Sequence, residues 1–372
     1  MDTIKIRYFS HEDEKKWDAF VKSHPRGTFF HLIGWKNVIE TTFGHKSYYL
    51  IAEMKSKNSA NNLNYSQHRE ISNSLNDSGE SKSIIVGVLP LFSIKSILLG
   101  RSLISIPFAA YGGVLADDDQ VIRRLFERAK EIVKEENLDY LELRNSEDNK
   151  FDLPTKELYA TFRREIYSSL EENLIAIPRK ARRMIRQGEK FNLSAEMGSQ
   201  YLKKFYSVFS HSYHRLGTPV FQIKFFNNLL AEFNDNCNIL VIRASDGKYI
   251  AGVSSFLYKD QVLPYYAGSL FENRNLAPND FMYWQLMKYA CEKGYKLFDF
   301  GRSKVQTGSY NFKRHWGFEP KPLYYQYYFH RIKDIPNISP NNPEYMRKIE
   351  LWKKLPYPLT KIIGPAIAKY LA

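Results

Sequence analysis

Two stretches of this 372-residue chain carry the same succession of elements, about 160 residues apart, and that duplication sets the architecture before any single motif is considered. In the earlier stretch, Ile84 to Phe92 predicts a strand, Tyr111 to Val114 a second, Val121 to Glu135 a helix, and Leu141 to Ser146 a closing strand. In the later one, Tyr249 to Tyr258 and Val262 to Ser269 predict strands, Asp280 to Lys293 a helix, and Leu297 to Ser303 a closing strand and turn. The helices rest on spacing: Val121, Ile122, Leu125, Phe126, Ala129, Ile132 and Val133 share one face, as do Tyr283, Leu286, Met287, Ala290 and Cys291. Pro278 and Asn279 precede the second helix and Gly294 follows it, as start and stop signals do. A helix joining two strands of one sheet makes them parallel, and the crossover is right-handed. Each copy is therefore α/β. The length also exceeds what one core sustains, which predicts a first domain over 1–160, a second over 161–332 and a tail over 333–372.

Lys and Arg number 54 against 40 Asp and Glu, a net charge of +14, so the surface attracts phosphates, acidic polymers or an anionic membrane face. Apolar residues make up 44%, enough for two cores, which excludes a wholly disordered chain. Cys237 and Cys291, the only cysteines, are too few for a disulfide framework or a thiolate zinc site and point to a reducing cytoplasm. Met1 to Trp17 carries charges where a signal peptide needs an apolar run. The most membrane-like stretch, Ile97 to Ala116, is broken by Arg101, Pro107, Gly112 and Gly113 and reads as strands rather than a span. Residues 55–83 are rich in Ser and Asn and poor in aliphatics, which predicts a disordered insertion within a hairpin.

Three segments carry the residues suited to chemistry or binding. Behind Pro178, Arg179, Arg182, Arg183, Arg186 and Lys190 fall on one side of a helix, either a ridge for an anionic partner or a solvated face. Asp299 to Pro320 has no counterpart after Ser146; its Gly301, Gly308 and Gly317 permit sharp turns or close approach to a ligand. Arg302, Lys313, Arg314 and His315 in it can stabilise developing negative charge. Loops beyond the carboxyl ends of parallel strands are where α/β proteins bind ligands, and the competing reading is a basic β-hairpin held by Phe312 and Trp316. His211, Tyr213 and His214 precede a turn-rich element, Arg215 to Phe221 with Thr218 in it, that is expected to line a cleft, although a lone histidine is more often structural. No His, Cys and carboxylate grouping has metal-ligand spacing, and no nucleophile elbow, Walker motif or dinucleotide glycine fingerprint occurs. Tyr345 to Ala372 mixes Trp352, Leu355, Leu359, Ile362 and Ile367 with Lys353, Lys354, Lys361 and Lys369; it either docks on the domain or lies on the anionic inner face of a membrane.

The succession of two units, the arginine-rich helix between them, Arg215 to Phe221, Asp299 to Ser303 and Tyr310 to Pro320 together resemble the Fem-type proteins, relatives of peptidoglycan-bridge aminoacyltransferases. Within them the chain is most similar to the subgroup associated with exosortase/PEP-CTERM exopolysaccharide systems, through Phe300-Gly301-Arg302-Ser303, the run from Gly308 through Phe312-Lys313 to Trp316-Gly317, and Leu355-Pro356 with Gly364-Pro365. The resemblance spans residues 5–370 apart from the insertion. It implies an α/β fold of two tandem GNAT-like (N-acyltransferase) domains, mixed sheets with crossover helices. It also implies N-acyl or aminoacyl transfer to an amine on a saccharide or peptide precursor of the cell envelope.

Carried over by motif, Lys313 stands at the reacting centre as an oxyanion or leaving-group stabiliser, with Arg302 and Tyr310 as further catalytic residues. Arg179, Arg182, Arg183, Arg186, His214, Thr218, Asp299 and Trp316 are expected to bind substrate. No tightly bound cofactor and no metal are expected. Phe271 to Asp280 lacks the Arg/Gln-x-x-Gly-x-Gly/Ala loop that cradles the coenzyme A pyrophosphate, which leaves acyl-CoA, an acyl carrier or aminoacyl-tRNA open as donor. The arginine ridge would suit tRNA phosphates. The alternative from another class is a non-catalytic basic adaptor that binds anionic membrane or nucleic acid in an envelope-assembly system.

Overall fold

A computed structural model of the chain describes residues 4–55, 83–96, 100–149, 151–335 and 343–371. They divide into two compact units. The first comprises the described residues up to Glu157 together with Leu323–Ile335, and the second Leu158–Pro322 with the tail helices.

In the first unit, β1 (Ile4–Tyr8), α1 (Glu14–Ser23), α2 (Ile33–Phe43), β2 (Lys46–Ser47), β3 (Leu50–Lys55), β4 (Ser83–Leu89), β5 (Phe92–Ser96), β6 (Gly100–Ile104) and β7 (Leu115–Ala116) lead into α3 (Asp119–Glu135). β8 (Tyr140–Asn145) and β9 (Thr155–Lys156) follow. Asp118 caps α3 by accepting from the Gln120 and Val121 amides, and all seven residues of the expected apolar face are buried. The helix carries the chain from β6 to a parallel β8, paired Ser102 to Tyr140 through Ile104 to Glu142. β3 and β4 are antiparallel, the arms of the expected hairpin; the insertion between them, 56–82, lies outside the described residues.

Two expected strands differ. Ile84 to Phe92 is divided between β4 and β5 at Pro90, which has no amide proton to donate. Tyr111 to Val114 is a buried irregular segment: Ile106, Phe108 and Gly112 take positive φ, and the Gly112 amide donates to the Arg144 carbonyl at 2.9 Å.

The second unit begins with β10 (Tyr159–Glu165), α4 (Leu170–Ala176), α5 (Arg179–Lys190), β11 (Ser194–Met197), α6 (Leu202–Leu216) and α7 (Ile223–Phe233). It continues through β12 (Cys237–Arg243), β13 (Tyr249–Tyr258), β14 (Gln261–Ser269), α8 (Pro278–Glu292), β15 (Leu297–Asp299), β16 (Ser303–Lys304), α9 (Gly308–His315) and β17 (Pro320–Pro322). Its sheet runs β11-β12-β13-β14-β15-β10-β16, with β17 also on β10. α8, with Pro278 in its first turn, is the crossover between parallel β14 and β15. Phe162, Ile185, Val253, Met287, Phe298 and Trp316 lie in the core.

The segment for which a basic β-hairpin was the competing expectation is instead helix α9. Thr307 caps it, its hydroxyl accepting from the Tyr310 amide, and Phe312 and Trp316 pack one turn apart with ring centroids 6.0 Å apart. The assignment of 161–332 to one domain also changes. β18 (Tyr324–Phe329) pairs antiparallel with β8, because that strand's second edge needs a hydrogen-bonding partner and Tyr325 and Tyr327 fill the first unit's core. The tail is not a separate body: α10 (Pro343–Lys354) and α11 (Tyr357–Ala368) belong to the second unit, packed on α6. Among the described residues no helix is long and apolar enough to cross a membrane.

Candidate active site

β14 and β15 stay parallel partners for only two residues, Gln261 and Val262 against Leu297 and Phe298. Beyond that the strands part: β15 ends at Asp299, while β14 runs on to Ser269 beside β13, with a register shift at Ser254/Ser255. The loop after β15 turns at Gly301, whose φ of +63° favours glycine.

Lys313 holds that loop. Its position on α9, three residues before Trp316, turns it inward, and it is 8% exposed. The ammonium donates to the carbonyls of Phe300, Gly301 and Arg302 at 2.6, 3.0 and 3.1 Å and sits 5.4 Å from the Phe162 ring centre. Burial pulls its pKa down to about 7, with Asp299 opposing and Arg302 adding to the shift. The carbonyls oppose deprotonation as well, since only the cation has a proton for each of them.

Asp299 anchors the same turn from below. Fully buried, it accepts from Arg163 Nε at 2.6 Å, from the Gly301 amide at 2.8 Å and, at longer range, from the Thr161 hydroxyl. Arg302 lies over the Tyr159 ring at 4.6 Å, and its charge opposes the effect of burial on Tyr213 and Tyr266, which pushes the Tyr213 hydroxyl up to about 12. Gly268 allows α6 to reach β14: a Cβ there would stand 2.8 Å from Phe209 Cα. This close approach brings Tyr213 toward the parted strands.

The expected site residues thus separate. Lys313, Arg302 and Asp299 meet at the turn, Asp299 as a buried anchor rather than a substrate contact. Tyr310 packs edge-on against Phe162 at 5.2 Å. Trp316 is fully buried, its indole donating to Asp280 Oδ1 at 2.9 Å, so it is a core residue and not a substrate contact. Burial raises the Asp280 carboxyl to about 6, against the indole hydrogen bond. His214 leaves the site as well: Nε2 meets the Leu355 carbonyl at 2.9 Å, and His211 stacks on Tyr357 at 3.7 Å, so both hold the tail. Thr218 is exposed and its amide donates to the Tyr213 carbonyl, closing α6 after Gly217. Tyr159, Arg163 and Tyr266, which no motif marks in the sequence, are drawn in by sheet register alone.

On α5, Arg179, Arg183 and Arg186 are exposed and Arg182 is half-buried; among the described residues no carboxylate pairs with any of the four. The opposite face, Ala181, Ile185 and Gly188, is buried, and Gly188 permits close packing on Phe281 of α8. Arg215, at the end of α6, and Arg274, between β14 and α8, lie on the Phe271 ring at 4.7 and 4.1 Å. Among the described residues no three His, Cys, Asp or Glu side chains are grouped to hold a metal ion.

Residues 176–314 match the family model described as an acetyltransferase (GNAT) domain. No curated protein matches the chain by sequence. Among solved structures it is similar to FemX, with a TM-score of 0.62 at 17% identity over 88% of this chain and 98% of that one. It is similar also to the C-terminal domain of a candidate lysylphosphatidylglycerol synthetase from Agrobacterium fabrum, with TM-score 0.52, 13% identity and coverage of 87% and 92%. A tandem GNAT protein from the clavulanic acid biosynthesis pathway superposes with TM-score 0.50 at 11% identity, covering 89% and 100%. The matched domain lies within the second unit, and the chain has the α/β fold of two tandem GNAT-like units.

Proposed function

We infer that the chain transfers an acyl or aminoacyl group from an activated ester or thioester to a primary amine on a saccharide or peptide precursor of the cell envelope, with bond making at the end of β15. The observation that carries this reading is the buried Lys313 ammonium, holding three successive carbonyls where two parallel strands part. In such a transfer the amine nitrogen bonds to the carbonyl carbon, the bond from that carbon to the carrier oxygen or sulfur breaks, and the amine proton ends on the leaving group. The intermediate's oxyanion needs donors that are in place beforehand. Lys313 has its protons on carbonyls, so we assign it to positioning the turn, and Arg302 to facing the developing charge.

Arg215 and Arg274 beside the start of α8, and the unpaired arginines of α5, suit a donor carrying phosphates, whether acyl-CoA, an acyl carrier or aminoacyl-tRNA. An acceptor from an exopolysaccharide system of the exosortase/PEP-CTERM kind agrees with the sequence resemblance. The test is mass spectrometry of an amine-bearing precursor pool incubated with the protein and an extract supplying acyl-CoA and charged tRNA. A stoichiometric mass gain on an amino sugar or peptide is expected, and ribonuclease treatment abolishes it where tRNA is the donor. No gain with any donor, alongside salt-sensitive anion binding, returns the adaptor.

A further inference from the structure

Helix α11 is amphipathic in the inverted sense. The residues it buries are small, Thr360, Gly364 and Ala368 at successive turns, and Gly364 lets it close on the backbone of Val220. Three of its four large aliphatics are exposed, Ile362 at 75%, Leu359 at 41% and Ile367 at 39%, whereas Ile363 is half-buried. Leu359, Ile362, Ala366 and Ile367 follow the i, i+3, i+7, i+8 spacing of a continuous stripe. On the preceding helix Leu351 is 65% exposed. A helix placed only to cover its own domain would turn these faces round, because burying an aliphatic side chain contributes more than burying an alanine. The helix is nonetheless fixed in this orientation, with the Tyr357 hydroxyl 2.7 Å from Ser210 Oγ and the Leu355 carbonyl held by His214.

The charge around the stripe selects what covers it. From Leu351 to Ala372 the chain has four lysines, Lys353, Lys354, Lys361 and Lys369, and no acidic residue; Lys353 is paired with Glu350, just before this stretch, at 2.7 Å. Between α6 and α11 a cleft of about 450 Å³ is lined by Tyr206, Ile223 and Pro365, with Lys203 and Lys361 at its sides. Outward aliphatics beside ammonium groups match the boundary between acyl chains and anionic headgroups. We propose that α11, together with Leu351, seats the second unit on an anionic bilayer surface, the stripe among the acyl chains and the lysines against lipid phosphates.

Flotation of the full-length protein with vesicles of phosphatidylcholine, alone or mixed with phosphatidylglycerol, tests this. Wild type floats with the mixed vesicles and less so as salt rises. Leu359→Glu with Ile362→Glu, at exposed positions that leave the melting temperature unchanged, lowers the bound fraction by about tenfold or more. Wild type that stays in solution with mixed vesicles overturns the proposal. So does binding that this pair leaves intact while glutamine at Arg179, Arg182, Arg183 and Arg186 abolishes it. Sedimentation that shows a wild-type dimer, converted to monomer by the same pair and indifferent to vesicles, assigns the stripe to a second copy instead.

Discussion

The closing strands of the two units end differently. In the first, β8 runs six residues and its end is filled by the protein's own side chains. Arg144 Nε donates to Glu142 at 2.7 Å, the Tyr327 hydroxyl donates to the other carboxylate oxygen at 2.8 Å, and the Asn145 amide donates to Gln326 at 2.9 Å. In the second, β15 stops after three residues and the following turn is held by its carbonyls, through Lys313, and by one amide, through Asp299. Both ends bury charge. In the first unit the charges neutralise each other within a closed network, whereas in the second they fix backbone around a gap between strands. Duplication supplied one architecture, and the two copies hold the ends of their closing strands with different partners.

Three substitutions probe that contrast, taken in order of effect. Asp299→Asn leaves Arg163 without its carboxylate; stability falls by about 3 kcal/mol, the lower end for a buried pair because Arg163 is partly exposed, and transfer per folded molecule falls with it. Thermal melts and product mass measure both. Asp280→Asn acts through pH. The folded carboxyl, raised to about 6 against an ordinary value of 3.8, holds its proton better than the unfolded one, so its contribution is complete below the ordinary value and is lost as pH rises through about 6. That loss amounts to about 3 kcal/mol at most, and the asparagine variant flattens the pH dependence of the melting temperature between these limits. Tyr327→Phe removes one donor from Glu142 and costs about 1 to 2 kcal/mol while leaving the transfer rate per folded molecule unchanged. A rate loss there would mean that the first unit's network also serves the chemistry.

The duplicated α/β pattern was legible because it rests on helix faces and stop signals: α3 buries every residue of its expected face, and α8 buries Leu286, Met287, Ala290 and Cys291 of its own, while Tyr283 stays half-buried and Phe281, Met282 and Trp284 are buried as well. Turn chemistry was harder to read. Thr307 and the one-turn spacing of Phe312 and Trp316 make a helix of a segment rich in glycine and charge. The motif singles out Lys313 and Arg302, but not the partners of the lysine, since backbone carbonyls leave no mark in a sequence. Asp299 and Trp316 carry groups suited to binding substrate, and only their burial shows that they serve the fold. The strand that completes the first unit comes from the far end of the chain, where local pattern assigns no partner.

The central claim is that the Lys313 cation holds the turn on which transfer depends. Steady-state kinetics of Lys313→Met, with its melting temperature as a control, test it most directly. The variant is expected to have a kcat lower by about a hundredfold, the scale of a misplaced reacting group, with KM little changed. Wild-type turnover is expected to decline as pH rises above about 7, where the amine has one proton fewer than there are carbonyls to hold. Wild-type kcat in the folded variant would contradict it.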